Sequence, residues 1–188
     1  MKRITIALLL TFALLISLSS CHNSEKNETL IKLNELSEKL ENSYTLNICT
    51  VSEDGHEVNT NYTVTDKNGV ISVNAKIETV NTFDIDGDTI TAPDSYVTVT
   101  ERELTDEEIK DGNFILPKFS FSSNNLSSIA IINGTLDAKV SSLKALTGIM
   151  LDASNARLTV KYTDEAISII IINFVTSQNN TVTLTYTF

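Results

Sequence analysis

Few side chains in this sequence belong to the types that perform catalysis. It contains two histidines: His22 directly follows a cysteine, and His56 directly follows Asp54-Gly55, a dipeptide typical of hairpin turns. Neither histidine has the spacing of a catalytic triad or of a zinc site. The sequence also has no Walker loop, no dinucleotide fingerprint, no G-x-S-x-G elbow and no C-x-x-C motif. We therefore expect a protein that is not an enzyme and that needs no cofactor.

Three nearby carboxylates, Asp84, Asp86 and Asp88, are the ligand type that a hard cation such as calcium prefers. The run departs from the EF-hand loop, because Gly87 comes too early in it and no glutamate occupies the last loop position. A strand turn with Asp86-Gly87 at its tip accounts for the same residues. We adopt the turn and expect no metal site.

The first twenty residues have the layout of an export signal. The cations Lys2 and Arg3 precede an apolar stretch over residues 4–18, and two small serines follow it. The stretch is interrupted by hydroxyl residues and is shorter than the roughly 20 apolar residues of a spanning helix. We therefore interpret residues 1–20 as a signal peptide that is removed after export.

The residues at the expected cleavage point, Leu18-Ser19-Ser20-Cys21, resemble the lipobox of bacterial lipoproteins. In that motif a branched apolar residue and two small residues precede a cysteine that is diacylated and becomes the new N-terminus. The resemblance implies lipidation of Cys21 and a lipid-anchored position on the extracytoplasmic face of a bacterial cell membrane. Two acyl chains are sufficient for stable anchoring. The alternative is an ordinary secretory signal that is cleaved nearby, with Cys21 free or paired.

The charge of the chain argues against two kinds of partner. Without Lys2 and Arg3 it keeps 12 cations against 24 acids, which gives a formal charge of −12. Nucleic-acid phosphates and anionic lipid surfaces repel such a chain. We expect no nucleic-acid partner, and contact with the membrane only through the lipid anchor.

After the signal peptide, the sequence predicts a polar, lipidated spacer over residues 21–27 and a single β-rich domain over residues 28–188. The domain begins with a segment, residues 28–42, in which leucines recur at spacings of three and four, the pattern of an amphipathic helix. These leucines are Leu30, Leu33, Leu36 and Leu40. A helix that docks on its own sheet is favoured over one that binds a partner protein.

From Tyr44 onward the hydrophobic period changes to two, which indicates β-strands. Turn dipeptides such as Asn68-Gly69 and Asn133-Gly134 separate the runs. Strands are predicted over residues 44–52, 57–66, 70–83, 88–91, 96–102, 127–132, 135–141, 156–163, 167–174 and 181–188.

Two short helices interrupt the predicted strands. Thr105 is followed by acids and has the hydroxyl group of a helix N-cap, and Ser141 or Ser142 can cap a second helix that Gly148 weakens. The expected fold class is α+β, mostly β: an antiparallel meander, as a curved sheet or half-barrel, with the N-terminal amphipathic helix packed on one face.

The predicted strand at 167–174 is apolar on both of its faces. Something must therefore cover both faces. Helix 28–42 or the segment after Ser142 can fill that role, and alternatively sheet and helices enclose an apolar groove for an acyl chain or another amphiphile. The residues of this candidate groove are Leu33, Leu36, Leu40, Ile170, Ile172 and Phe174.

The order of these features, from the lipobox at Cys21 through the leucine helix and the hairpins to a last strand ending at Phe188, resembles uncharacterised lipoproteins of low-GC Gram-positive bacteria. Those are similar in layout to LolA-like and LppX-like carriers, in which a long N-terminal helix packs in an antiparallel half-barrel. The resemblance covers most of the mature chain and implies an apolar cavity between helix and sheet, but it transfers no binding residue. Fold-level likeness does not assign function.

Two functional hypotheses follow from this reading. The first is a membrane-tethered, non-catalytic binding module for an apolar or amphiphilic, lipidic ligand. The second is a surface domain with a fully packed core that binds another envelope protein. An apolar cavity of the size of ligand pockets favours the first hypothesis, and a filled interior favours the second.

Overall fold

The computed structural model describes residues 24–80, 82–85, 88–91, 97–150 and 153–188. Its helices are α1 over residues 24–37, α2 over Asp106–Gly112 and α3 over Leu143–Thr147. Its strands are β1 Tyr44–Val51, β2 Glu57–Lys67, β3 Val70–Val80, β4 Thr82–Ile85, β5 Asp88–Thr91, β6 Val97–Glu103, β7 Leu126–Ile132, β8 Thr135–Val140, β9 Ala153–Tyr162, β10 Ile167–Thr176 and β11 Thr181–Thr187.

Nine of these strands form one open antiparallel sheet, in the order β6-β3-β2-β1-β11-β10-β9-β8-β7. The sheet consists of two meanders that meet where β1 pairs with β11, from Thr45 opposite Thr187 to Val51 opposite Thr181. Strands β4 and β5 pair with each other outside this sheet. The predicted class, a mostly β antiparallel fold with an N-terminal helix on one face, is confirmed.

Two of the predicted turn dipeptides connect neighbouring strands as expected. Asn68 and Gly69 have φ angles of 58° and 84°, and Asn133 and Gly134 have φ angles of 47° and 71°. Positive φ at both central residues is the property of type I′ turns, whose twist matches that of the flanking strands. A Cβ on Gly134 would also lie 2.6 Å from the carbonyl oxygen of Tyr162. Position 134 therefore favours glycine for two reasons, its positive φ angle and its close approach to the carbonyl oxygen of Tyr162.

Helix α1 covers residues 24–37, whereas the leucine pattern predicts 28–42. The helix ends early because the N–H groups of Lys39 and Leu40 donate to carbonyls only three residues back, a bonding pattern that tightens and closes a last turn. Leu40 consequently lies beyond the helix, and residues 24–27 of the predicted spacer are helical. Among the residues that the structure describes, no helix has the length and apolarity needed to cross a membrane.

Both short helices begin at the predicted caps. The Thr105 hydroxyl accepts the N–H of Glu108, whose carboxylate accepts the N–H of Thr105 in return, which is a capping box. The Ser142 hydroxyl accepts the N–H of Ala145. Helix α3 ends at Gly148, which has a φ angle of 75°, and this glycine limits the helix to little more than one turn.

The buried face of the sheet is covered by α1, α3 and residues 113–125. On β10, the side chains of Ile170 and Ile172 are 0 % exposed, whereas Ile169 and Ile171 on the opposite face are half-buried. The chain thus covers the core side of this strand with its own elements. Other buried members of the same cluster are Leu30, Leu33, Leu36, Phe114, Phe119, Phe121, Leu143, Leu146, Phe174 and Tyr186.

Residues 113–125, which we call the crossing segment, contain neither helix nor strand. The side-chain amide of Asn34 on α1 donates to the carbonyl oxygen of Phe121 at 2.7 Å and accepts the N–H of the same residue at 2.8 Å. Buried backbone groups require such partners. The Asn34 amide therefore supplies the two hydrogen bonds that the backbone of a neighbouring strand would otherwise provide.

Two further side chains hold the start of the crossing segment. The Asn42 amide oxygen accepts the N–H of Leu116 at 2.6 Å, and the hydroxyl of buried Tyr44 donates to the carbonyl oxygen of Phe114 at 3.1 Å. These bonds come from Asn42, which lies in the link between α1 and β1, and from Tyr44, the first residue of β1. The route of the crossing segment is therefore set by the N-terminal part of the domain.

We expect Asn34→Ala to lower the free energy of unfolding by about 2 kcal/mol, because it leaves a buried N–H and a buried carbonyl of Phe121 without partners. Urea unfolding followed by circular dichroism measures the change. Asn27→Ala, at an exposed position of the same helix, is the matched control and should stay within about 0.5 kcal/mol of the native chain. Equal stability of the two variants would show that the Asn34 amide does not hold the segment.

Candidate functional site

A cleft of about 870 Å³, here called the α1 cleft, opens between the end of α1, the β2–β3 hairpin and the crossing segment. Its volume falls within the range of about 300 to 1,000 Å³ that ligand pockets occupy. The apolar side chains of its wall are Leu40, Ile71, Ile115, Leu116, Pro117 and Phe119. The α1 cleft therefore has the size and the lining that an apolar group requires.

Charged side chains share the α1 cleft with these apolar residues. Glu38 and Lys118 are exposed, and Asp66 is half-buried. The Asp66 carboxylate is held in place by the N–H of Gly69, at 2.8 Å, and by the side-chain amide of Asn42, at 3.5 Å. A cleft that combines apolar walls with exposed charges suits a molecule that has both an apolar and a polar part.

The walls of the α1 cleft are held by specific contacts. The Ser37 hydroxyl donates to the carbonyl oxygen of Phe119 at 3.3 Å, and the Phe119 ring packs edge-on against Tyr186 with 5.4 Å between ring centroids. Aromatic pairs of this geometry add stabilisation beyond the burial of their area. Ile115, by contrast, is 64 % exposed. The wall near Phe119 is anchored in the core, whereas Ile115 presents an apolar side chain to water.

The structure separates the residues of the candidate groove. Leu40 lines the α1 cleft and is half-buried. The other residues predicted for the groove are buried in the core cluster and are Leu33, Leu36, Ile170, Ile172 and Phe174. The space between α1 and the sheet is occupied at these positions by packed side chains.

Several cleft residues were not identified from the sequence, because the crossing segment has neither the period of a helix nor that of a strand. The available signal was the density of apolar side chains on both sides of Pro117, which is unusual for an exposed loop. The cleft residues that the sequence patterns did not identify are Ile115, Leu116, Pro117 and Phe119.

A smaller pocket, of about 220 Å³, lies between α2, β3 and β6 and is lined by Tyr62, Ile77 and Phe114 among others. Arg102 and Glu108 close it with two bonds, Nη2 to Oε1 at 2.5 Å and Nη1 to Oε2 at 2.8 Å. Such paired bonds fix geometry as well as charge. We interpret this pocket as a packing contact between α2 and β6 and not as a ligand site, because its volume lies below the range of ligand pockets.

The remaining sequence candidates for chemistry are the aspartates near residue 86 and the two histidines. Asp84 and Asp88 belong to the paired strands β4 and β5, whereas His22, Asp86 and Gly87 lie outside the described residues. His56 is half-buried beside the β1–β2 turn, where its carbonyl oxygen accepts the N–H of Ser52. Within the described ranges, no group of three histidine, cysteine, aspartate or glutamate side chains could hold a metal ion.

We expect the Glu108 carboxyl to titrate with a pKa of about 2, because hydrogen bonds from Arg102 and then from Thr105 favour its charged form. The contribution of this carboxylate to stability is fully present above the ordinary glutamate pKa of about 4.3 and is lost as the pH falls through about 2. NMR of the side-chain carboxyl carbon gives the midpoint. Arg102→Gln should raise the pKa toward its ordinary value.

Lys110→Gln, a substitution with the same change of charge on α2, is the control for this titration and should leave the Glu108 pKa nearly unchanged. An ordinary glutamate pKa in the native chain would contradict the arrangement of Arg102 and Glu108.

Cys21 and the predicted signal peptide, residues 1–20, lie outside the described residues. No protein-family model matches the chain, and no curated protein matches its sequence.

Proposed function

We propose that this protein is a membrane-tethered extracytoplasmic lipoprotein that binds an apolar or amphiphilic ligand in the α1 cleft and performs no catalysis. The observation that carries the proposal is the cleft of about 870 Å³ with a wall of six apolar side chains. An apolar ligand that covers exposed Ile115 and half-buried Leu40 and Leu116 removes their surface from water, which is a favourable change in free energy.

The charges at the α1 cleft support an amphiphile over a purely apolar ligand. Glu38, Asp66 and Lys118 line the same cleft as the apolar wall, and a polar headgroup beside them keeps its hydrogen bonds to protein or water. Burying a polar group without such bonds is costly. The ligand that fits best therefore has an acyl or similar chain and one polar end.

A lipid anchor on Cys21 suits this function, because it confines the domain to the surface where amphiphiles are concentrated. An N-terminal helix packed on one face of an antiparallel sheet is the layout that the resemblance to LolA-like and LppX-like carriers implies. In this chain, however, the ligand site that we propose lies at the end of the helix, since the interior beside Leu33 and Ile170 is packed.

The packed interior favours a second candidate function, an interaction domain for another envelope protein. Leu33, Ile170 and Ile172 are 0 % exposed and belong to one continuous core cluster. In that case the α1 cleft receives an apolar side chain of the partner rather than a small molecule. A titration with a small amphiphile distinguishes the two functions.

The chain contains no tryptophan, so a single introduced tryptophan reports on one position only. In a chain that starts at residue 24, we expect Ile115→Trp to show a saturable blue shift of its fluorescence on addition of laurate, because the acyl chain excludes water from the indole. Saturation in the micromolar range corresponds to about −8 kcal/mol of binding free energy.

Ile132→Trp is the matched control, because Ile132 is exposed to a similar extent but lies on β7, away from the α1 cleft. Its fluorescence should not change. Leu40→Asn in the Ile115→Trp background should weaken binding about tenfold, since it removes an apolar side chain from the wall. Identical responses of the two tryptophans, or none in either, would contradict ligand binding in this cleft and leave the interaction domain as the better proposal.

The proposed anchor predicts the chemical state of the mature N-terminus. Mass spectrometry of the native protein should find an N-terminal peptide that begins at Cys21 and carries a diacylglycerol. Cys21→Ser should be neither lipidated nor retained in the membrane fraction, whereas Cys49→Ser should behave like the native chain. Membrane retention of the Cys21→Ser protein would contradict the anchor.

A further inference from the structure

Two cations lie side by side on the face of the sheet opposite the core, which we call the outer face. Lys139 on β8 is the direct cross-strand neighbour of Arg157 on β9, and both alternate along their strands with the buried residues Ala138 and Leu158. Like charges directly opposite each other destabilise a sheet. The fold therefore tolerates a repulsion at this position.

Among the described residues, no carboxylate forms an ion pair with either cation. The chain has ten more acidic than basic residues, yet the ion pairs in this part of the chain involve Lys32, Lys76 and Arg102 and neither member of the outer pair. Asp137, which lies two residues before Lys139 on β8 and lines one of the same clefts, accepts the hydroxyl of Thr159 at 2.5 Å instead. Lys139 and Arg157 thus keep their hydrogen-bond donors available.

Lys139 and Arg157 both line two neighbouring clefts, of about 400 Å³ and about 510 Å³. The first cleft adds Ser128, Asn173 and the carboxylate of Asp137, and the second adds Ser127 and Asn155. Apart from Asp137, these neighbours are neutral and carry hydrogen-bond donors. The second cleft therefore combines both cations with neutral donors and contains no carboxylate among its lining residues.

Strand register places four donor side chains in one row. Ser127 lies opposite Lys139, and Arg157 lies opposite Asn173 on β10. The side-chain oxygen of Asn173 accepts the hydroxyl of Thr183 at 2.6 Å, so its NH₂ group is the part that stays available. The row thus offers two adjacent cations with one neutral donor on each side of them.

Irregular backbone surrounds this row on both sides. The β7–β8 register shifts between Ser127 and Ala130, where Ser128 has a φ angle of 51°, and the β9–β10 register shifts after Asn173. Asn155 on β9 has a φ angle of 52°. Positive φ is uncommon for residues other than glycine, and β-bulges are enriched beside functional sites, where they redirect side chains.

We propose that Lys139, Arg157 and their donor neighbours form a binding site for a phosphate ester. A phosphate monoester carries about two negative charges at neutral pH, which matches the two cations, and the planar guanidinium of Arg157 can bind two of its oxygens at once. The Asp137 carboxylate lines the first cleft but not the second, and the acids elsewhere on the chain do not prevent binding, because charges more than about 8 Å away are largely screened at physiological salt.

Calorimetric titration of the full chain with inorganic phosphate, in non-ionic detergent at constant ionic strength, tests the proposal. We expect saturable binding. We expect K139Q/R157Q to weaken it about tenfold or more, since each of the two substitutions removes a charge-assisted hydrogen bond to the phosphate. The control K144Q/K161Q makes the same change of net charge outside both clefts and should leave the affinity within about twofold.

The melting temperature without phosphate separates a binding role from a structural one. K139Q/R157Q removes a repulsion, so it should melt no lower than the native chain. Any of three results would overturn the proposal. The first is a lower melting temperature of K139Q/R157Q with unchanged phosphate affinity. The others are equal weakening of phosphate binding by K144Q/K161Q and the absence of saturable heat from the native chain.

Two esters identify the source of the phosphate. Tighter binding of dihexanoyl phosphatidic acid than of sn-glycerol 3-phosphate would assign the site to a lipid headgroup, and equal affinities would assign it to a free phosphate ester. The result does not depend on the α1 cleft, because none of the residues of the donor row lines that cleft.

Discussion

A segment that crosses the buried face of a sheet without a neighbouring strand can be stable only if side chains bond its backbone N–H and carbonyl groups. In this protein the amide of Asn34 does so twice at Phe121, and Asn42 does so at Leu116. These bonds fix the crossing segment against α1. As a consequence its phenylalanines complete the core, and Leu116 packs against that core and lines the α1 cleft.

Local patterns predicted most of the fold, because they depend on near neighbours in the sequence. The alternation of apolar and polar residues predicted strands at β9 and β11, and the apolar run at 167–174 predicted β10. Turn dipeptides predicted the hairpins at residues 68–69 and 133–134, and hydroxyl caps predicted α2 and α3. The pairing of β1 with β11 joins distant parts of the chain, so no local pattern reports it. The α1 cleft was missed for the same reason: the crossing segment is ordered by contacts with Asn34 and Asn42 and not by its own period.

The two faces of the sheet differ in what covers them. The inner face is filled by α1, α3 and the crossing segment, and the apolar wall of the α1 cleft lies where this filling ends, beside Leu40 and Ile115. The outer face carries mostly polar residues, and its unpaired cations depend on the register of β8 with β9. The two proposed sites share no lining residue, so the proposals can be tested separately.

The most direct measurement of the central constraint is amide hydrogen exchange of the full chain. If side chains bond the crossing segment as described, the amides of Leu116 and Phe121 exchange as slowly as those of the neighbouring strands, although they lie outside regular secondary structure, and Asn34→Ala abolishes the protection of Phe121. Rapid exchange of both amides in the native chain, at the rate of an exposed loop, would contradict the account, because neither the closed core nor the wall of the α1 cleft could then persist.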